Sequence, residues 1–238
     1  MSSVKPNGLP RRLVQLYVGL PLYGVSLALM VRARLGLDPW DVLHQGIARH
    51  LGLQIGTVTI IVGTLVLLVW IPLRQRPGIG TLSNVVLIGL VTNWMLTVIP
   101  TRLSLGVRVA AMVGGILLLA VATGLYIGAH FGPGPRDGLM TGFARRTGRS
   151  IRLTRACIEL SVLICGWLLG GTVGIGTVLY AVSIGPLVQR TMRAFDSRAR
   201  ADCRDLDSSV GLDRDLAQPM GLDVVDEAAH GIAVREEW

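Results

Sequence analysis

Residues 12–96 and 108–192 align with each other without a gap, at a constant offset of 96 positions. Arg12 falls on Arg108, Gly19 on Gly115 and Gly36 on Gly132. Pro39, Asp41, Leu43, Gly46, Ala48 and Arg49 fall on Pro135, Asp137, Leu139, Gly142, Ala144 and Arg145. The run Gly78-Ile79-Gly80-Thr81 recurs as Gly174-Ile175-Gly176-Thr177, and Gly89 recurs as Gly185. About 25 of roughly 85 aligned pairs are identical. The chain is therefore a duplication, and its fold must accommodate two copies of one unit.

Each copy is strongly apolar. Half of the 238 residues are hydrophobic and 16% are charged, which is far from the balance of a soluble domain. Six runs approach the roughly 20 apolar residues needed to cross about 30 Å of hydrocarbon. They lie near 12–31, 55–73, 79–99, 107–129, 152–170 and 175–191. Such segments cross lipid as helices, because an open strand would leave its backbone groups unpaired. The expected fold is an all-α polytopic bundle of six spans, with membrane repeats at 12–101 and 107–195, a short flank at 1–11 and an acidic, aperiodic tail at 196–238. The tail's composition predicts a flexible cytoplasmic segment. The first apolar run is too long for a signal-peptide core, so no cleavable leader is expected.

The charge is segregated. Residues 1–195 contain only four acids, Asp38, Asp41, Asp137 and Glu159, and the other eleven follow Arg193. The net charge of +8 does not mark a nucleic-acid binder, because the arginines flank apolar runs and carry no interleaved aromatic face. With the amino terminus inside, the cytoplasmic segments hold Arg11, Arg12, Arg74 and Arg76, the cluster between Arg136 and Arg155, and Arg190 and Arg193. This bias predicts a bacterial plasma-membrane protein with both termini in the cytoplasm. Three spans per copy is an odd number, so the two copies would enter the bilayer in opposite directions. An inverted repeat of this kind is common among secondary transporters. Cys157, Cys165 and Cys203 have no metal-ligand spacing, and the first two read as small buried hydrophobes. No cofactor is called for.

Between the first and second spans of each copy lies a shorter piece, 38–50 and 134–146. Asp38 suits a helix N-cap, Pro39 the first helical position and Asp41 the third, where a carboxylate can reach back to the cap. Gly134, Pro135 and Asp137 repeat that pattern. At about 12 residues the piece is too short to span, which predicts an interfacial or re-entrant half-helix.

The same residues carry a family resemblance. The run from Gly36 to Leu43 (Gly-Leu-Asp-Pro-Trp-Asp-Val-Leu), with Gly46, and the later Pro77-Gly78-Ile79-Gly80-Thr81 with Asn84, resemble the YczE/YitT family of bacterial integral membrane proteins over about residues 12–192. The resemblance implies a multi-pass plasma-membrane protein and adds little about activity. The second copy departs from the pattern, with Arg136 in place of Trp40, so a substrate role for Trp40 has no symmetric partner.

Several residues are candidates for chemistry. Carboxylates at membrane depth are costly and persist where water, a cation or a helix end compensates them. If both half-helices dip inward, Asp41 and Asp137 approach a common centre and could bind a proton or cation alternately. The alternative is that each merely caps its half-helix. His44 shares a helix face with Asp41 and could relay a proton, or else it is a solvated interfacial histidine. Arg136 either clamps an anionic substrate at a helix N-terminus or belongs to the cytoplasmic positive cluster. Thr81, Asn84, Thr177 and Tyr180 surround the Gly-Ile-Gly-Thr turns and either line a polar cavity or bridge helices. Glu159 lies four residues beyond Arg155, as either an ion pair or a proton-coupling group.

Three function classes follow. The first is a small-molecule or ion transporter working by alternating access. The second is a non-transporting accessory protein whose tail binds a cytoplasmic partner. The third, an intramembrane enzyme, finds no His-Glu-x-x-His or Gly-x-Ser-x-Gly motif to support it. The expected surroundings are the lipid bilayer and a small substrate or protons, and a homo-oligomer remains compatible with the sequence.

Overall fold

The computed structural model describes residues 9–195, and these are helical, with no strand among them. Eight helices follow in order: α1 Leu9–Ala33, α2 Pro39–Leu51, α3 Ile55–Trp70, α4 Ile79–Val98, α5 Leu105–Gly128, α6 Pro135–Thr147, α7 Ile151–Leu168 and α8 Ile175–Phe195. The expected tail at 196–238 lies outside the described residues.

The duplication reaches down to single backbone angles. Helices α5 to α8 begin 96 residues after α1 to α4, position for position. The left-handed backbone positions repeat as well. Gly36 and Gly132 have φ of 125° and 118°, Gly52 and Gly148 both 66°, and Arg34 and His130 52° and 57°. Both half-helices, α2 and α6, start at proline and stop at a glycine in the αL conformation. That is the proline-first, glycine-last grammar of a short, sharply ended helix.

The copies hold each other by exchanging partners. The Arg12 guanidinium donates to the carbonyls of Ala129 and His130, and Arg108 donates to those of Ala33 and Arg34. In both cases an arginine early in a long helix closes the last turn of its counterpart, satisfying carbonyls a helix end leaves open. Gly19 and Gly115 let α1 and α5 cross closely. A Cβ on Gly19 would come within 3.0 Å of Tyr126 N, and one on Gly115 within 2.8 Å of Met30. Small residues at such a crossing are how helices pack where no solvent drives them together. The core draws on both copies, with Met30, Leu37, Val42 and Val58 packed beside Met112, Ile116 and Leu119.

Three helices, α1, α4 and α5, are long and apolar enough to cross a membrane. Helices α2 and α3 pass together as a pair bent by 114°. Helix α3 alone is 16 residues, and α7 carries Arg152, Arg155 and Glu159. Those features keep α3 and α7 below this standard, and α8 also falls outside it, against the six runs read along the sequence. Cys157 and Cys165 correct an expectation: both are exposed on α7. An apolar run in such a helix has a face toward lipid as well as one toward protein, and composition does not distinguish them.

Candidate functional site

The site forms where the N-termini of the two half-helices meet. Asp38 caps α2, its Oδ1 accepting the Asp41 backbone N–H at 2.6 Å. Its other oxygen accepts from Arg136 Nη1 of α6 at 3.1 Å, while Arg136 Nη2 donates to Asp41 Oδ1 at 2.8 Å. One guanidinium thus spans two carboxylates from the opposite copy, and its Cζ lies 5.4 Å from the centre of the Trp40 ring. Both aspartates are 2% exposed. Charge-assisted bonds of this kind are short and strong, and here they compensate buried charge.

The network continues into α3. Nδ1 of the buried His44 lies 3.1 Å from Asp41 Oδ1 and 3.2 Å from the Thr59 hydroxyl oxygen. The Thr59 hydroxyl donates to the Ile55 carbonyl, so both neighbours offer lone pairs and Nδ1 carries the hydrogen. This corrects the solvated-histidine expectation, since His44 is 2% exposed. Arg136, expected as an anion clamp or as part of the cytoplasmic cluster, is engaged with the Asp38 and Asp41 carboxylates of the other copy.

Asp137 has a different partner. The Tyr126 hydroxyl donates to its Oδ2 at 3.1 Å, and Tyr126 packs edge-on against Tyr23 with ring centres 6.2 Å apart. Position 134, where the first copy has Asp38, is a glycine, so α6 has no side-chain cap. A cavity of about 310 Å³ opens beside these groups, lined by Asp38, Trp40, His44, Asn84, Tyr126, Arg136, Asp137, Arg155, Glu159 and Tyr180, among others. The buried Trp40 indole N–H has no hydrogen-bond partner among the described residues. Arg155 and Glu159 form the expected ion pair at 2.8 Å, largely exposed.

Thr81 and Thr177 lie outside the cavity lining. Each accepts from the backbone N–H of the first glycine in its own turn, and Thr81 donates to the Pro133 carbonyl. The glycines serve close backbone approach. Gly80 N–H donates to Phe131 O at 3.1 Å, and Gly176 N–H to Leu35 O at 2.8 Å. Each turn therefore clasps the strand of chain leading into the other copy's half-helix. A Cβ on Gly78 would stand 2.1 Å from Phe131 O, and one on Gly174 2.4 Å from Leu35 O. The recurring Gly-Ile-Gly-Thr run positions the half-helices.

Asp38 is a candidate-site residue that the sequence reading treated only as a cap. A signal for it existed in the alignment of the copies. Asp38 and Trp40 stand opposite Gly134 and Arg136, so the first copy holds an extra acid where the second holds an extra base two positions on.

Residues 10–193 match a family described as a family of unknown function, DUF6198. The chain belongs to this family. A protein of Haemophilus influenzae, named as uncharacterized, is 42% identical over 174 residues, covering 73% of this chain and 80% of that one. The uncharacterized membrane protein YczE of Bacillus subtilis is 34% identical over 168 residues, covering 70% and 78% of the two chains. A second Bacillus subtilis protein, YyaS, is 23% identical over 166 residues, covering 68% and 83%. No solved structure matches. The DUF6198 match runs from α1 into α8, and the kinship with YczE agrees with the resemblance read from the half-helix motif. The apolar helices and this kinship make the chain a membrane protein.

Proposed function

We propose that the chain is a six-span bacterial plasma-membrane transporter whose two copies, inserted in opposite directions, alternate access to the cavity between their half-helices. One observation carries the reading: Arg136 of one copy bridges Asp38 and Asp41 of the other, beside a cavity that also holds Asp137. A charge network that crosses the seam between repeats must be remade if the repeats rock, so it can link substrate binding to movement. The partner exchange of Arg12 and Arg108 supports a two-fold relation between the copies. Three spans per copy, as read from the six apolar runs of the sequence, would make that relation an inversion, with both termini in the cytoplasm by the arginine bias. The cargo is a small solute or ion, with Asp41, Asp137 and Glu159 as the groups to couple a proton.

The test is solute flux in proteoliposomes carrying the wild-type chain, Asp41→Asn or Asp137→Asn. Insertion is checked separately by protease protection. The reading requires both variants to insert and to lose flux. Undiminished flux in both would remove the carboxylates from the mechanism.

A second reading, a non-transporting accessory protein, draws on the same cluster. Arg136 and its two carboxylates satisfy one another without a ligand, as a static brace would. That reading expects deletion of 196–238 to abolish recovery of a cytoplasmic partner, while a transporter would keep its flux.

A further inference from the structure

The two copies differ at one seam. Helices α3 and α4 are sewn together, whereas their counterparts α7 and α8 scarcely touch. The closed seam depends on small residues: a Cβ on Gly56 would lie 2.1 Å from Gly89 O, and one on Gly89 2.4 Å from Gly56 O. Asn93 fastens it, accepting from Gly56 N–H at 2.8 Å and donating to Thr57 at 3.0 Å. In the second copy Arg152 stands for Gly56, Glu159 for Gly63 and Gln189 for Asn93. Gly185, the counterpart of Gly89, has open space where its Cβ would be. Only Thr154 and Gly166 of α7 and Gly176 and Thr177 of α8 are buried.

The central cavity extends into that opening. Arg155 and Glu159 line it from α7, and Tyr180, Ile184, Gly185 and Val188 from α8. On the α7–α8 side Ile184, Gly185, Val188 and Met192 give it an apolar wall beside Tyr180, Gln189 and the Arg155–Glu159 pair, and the buried Asp38 lines it more deeply. In and beside it, four carboxylates (Asp38, Asp41, Asp137, Glu159) face two guanidiniums (Arg136, Arg155), a formal excess of two negative charges. Tyr23 and Tyr126 add aromatic rings to the lining, and aromatic rings attract organic cations, as the Trp40 ring already holds the Arg136 guanidinium.

The geometry points to the α7–α8 opening as a lateral portal through which an amphipathic organic cation passes from the bilayer, its ammonium head in the cavity and its alkyl tail between the two helices. This deepens the transport reading above and rests on it for the consequence of binding. The binding itself is an equilibrium property that does not require flux. Charge selects the head, because a like-charged anion would meet the excess negative charge in a site of low dielectric. Apolar area selects the tail, since each buried methylene adds to affinity.

The test uses the full chain in zwitterionic nanodiscs, titrated calorimetrically against decyltrimethylammonium, tetramethylammonium and decyl sulfate, with empty nanodiscs subtracted. Decyltrimethylammonium should bind at least about tenfold more tightly than tetramethylammonium, a gain of about 1.4 kcal/mol, and decyl sulfate should show no saturable binding. Gly185→Leu, placed in open space, should erase the advantage of the long chain. Glu159→Gln should weaken the long-chain cation about tenfold. Thermal melting of each variant reports whether it folds. Saturable binding of decyl sulfate overturns the charge class. An unchanged long-chain advantage in folded Gly185→Leu overturns the portal. So does a change from dimer to monomer in that variant with cation binding intact, since a second copy would then fill the cleft. A wild-type chain that binds decyltrimethylammonium saturably but carries no flux would count against transport and leave the portal standing.

Discussion

The indole of Trp70 on α3 occupies the space where a side chain on Gly138 of α6 would begin. A Cβ built on Gly138 would lie 2.0 Å from the ring, and the indole N–H donates to the Pro135 carbonyl at 3.1 Å. At the equivalent contact the sizes are reversed. Gly166 stands for Trp70 and packs against α2, where its Cβ would come within 2.4 Å of Leu43 N. The two half-helices are thus seated on the other copy's long helix by opposite distributions of bulk, which breaks the symmetry of the duplication at the floor of the site.

Gly138→Ala is therefore expected to destabilise the fold. Overpacking of a tight core contact costs about 1–3 kcal/mol, and here the obstacle is a rigid ring. The double variant Gly138→Ala with Trp70→Leu should recover part of the loss. Thermal unfolding in detergent measures both, and an unchanged melting temperature in the single variant would contradict this account of the contact.

Arg136→Gln leaves Asp38 and Asp41 buried without a cation. Breaking one side of a buried ion pair costs about 3–5 kcal/mol. Neutralising the orphaned partners in Arg136→Gln with Asp38→Asn and Asp41→Asn should restore much of that stability, since the charges disappear together. A double-mutant cycle on Arg136 and Asp41, read by denaturant unfolding, should give a clear coupling energy. Simple additivity would mean the bridge is not formed.

Gly36 and Gly132 share a backbone conformation that side chains rarely adopt, with φ of 125° and 118°. A Cβ would also stand 2.6 Å from the Thr177 hydroxyl in one case and 2.7 Å from that of Thr81 in the other. Alanine at either position should cost about 1–3 kcal/mol in backbone strain alone. Gly52→Ala, at φ 66° with nothing within 4 Å, should cost less. Equal losses at Gly36 and Gly52, compared by melting temperature, would show that the clasp around each half-helix contributes nothing.

The proposed inversion makes a sidedness prediction. Leu53 and Arg149 follow the matched caps Gly52 and Gly148, and both are exposed. In a background without native cysteines, Leu53→Cys should react with an impermeant maleimide on intact cells. Arg149→Cys should react only after permeabilisation. Labelling of both from the same side would overturn the antiparallel arrangement.

Much of this protein could be read along the chain, because the features concerned depend on near neighbours. The start of each half-helix follows from Asp38-Pro39 and Gly134-Pro135, and its end from Gly52 and Gly148, since caps are satisfied within a few residues. The duplication, and hence the matching of every helix start, is a property of spacing alone. The Arg155–Glu159 pair is one helical turn long and equally local. Pairing across the copies is not. Arg136 reaches Asp38 over 98 positions, and nothing near either residue indicates which of several partners it will take. Position along a helix also says little about which face meets lipid, because the protein interior and the bilayer are both apolar; so Cys157 and Cys165 lie outside and His44 lies inside. The open α7–α8 seam required the tertiary structure as well. Arg152 and Glu159 in place of glycines announce a difference between the copies, but only packing in three dimensions turned that difference into a gap beside a cavity.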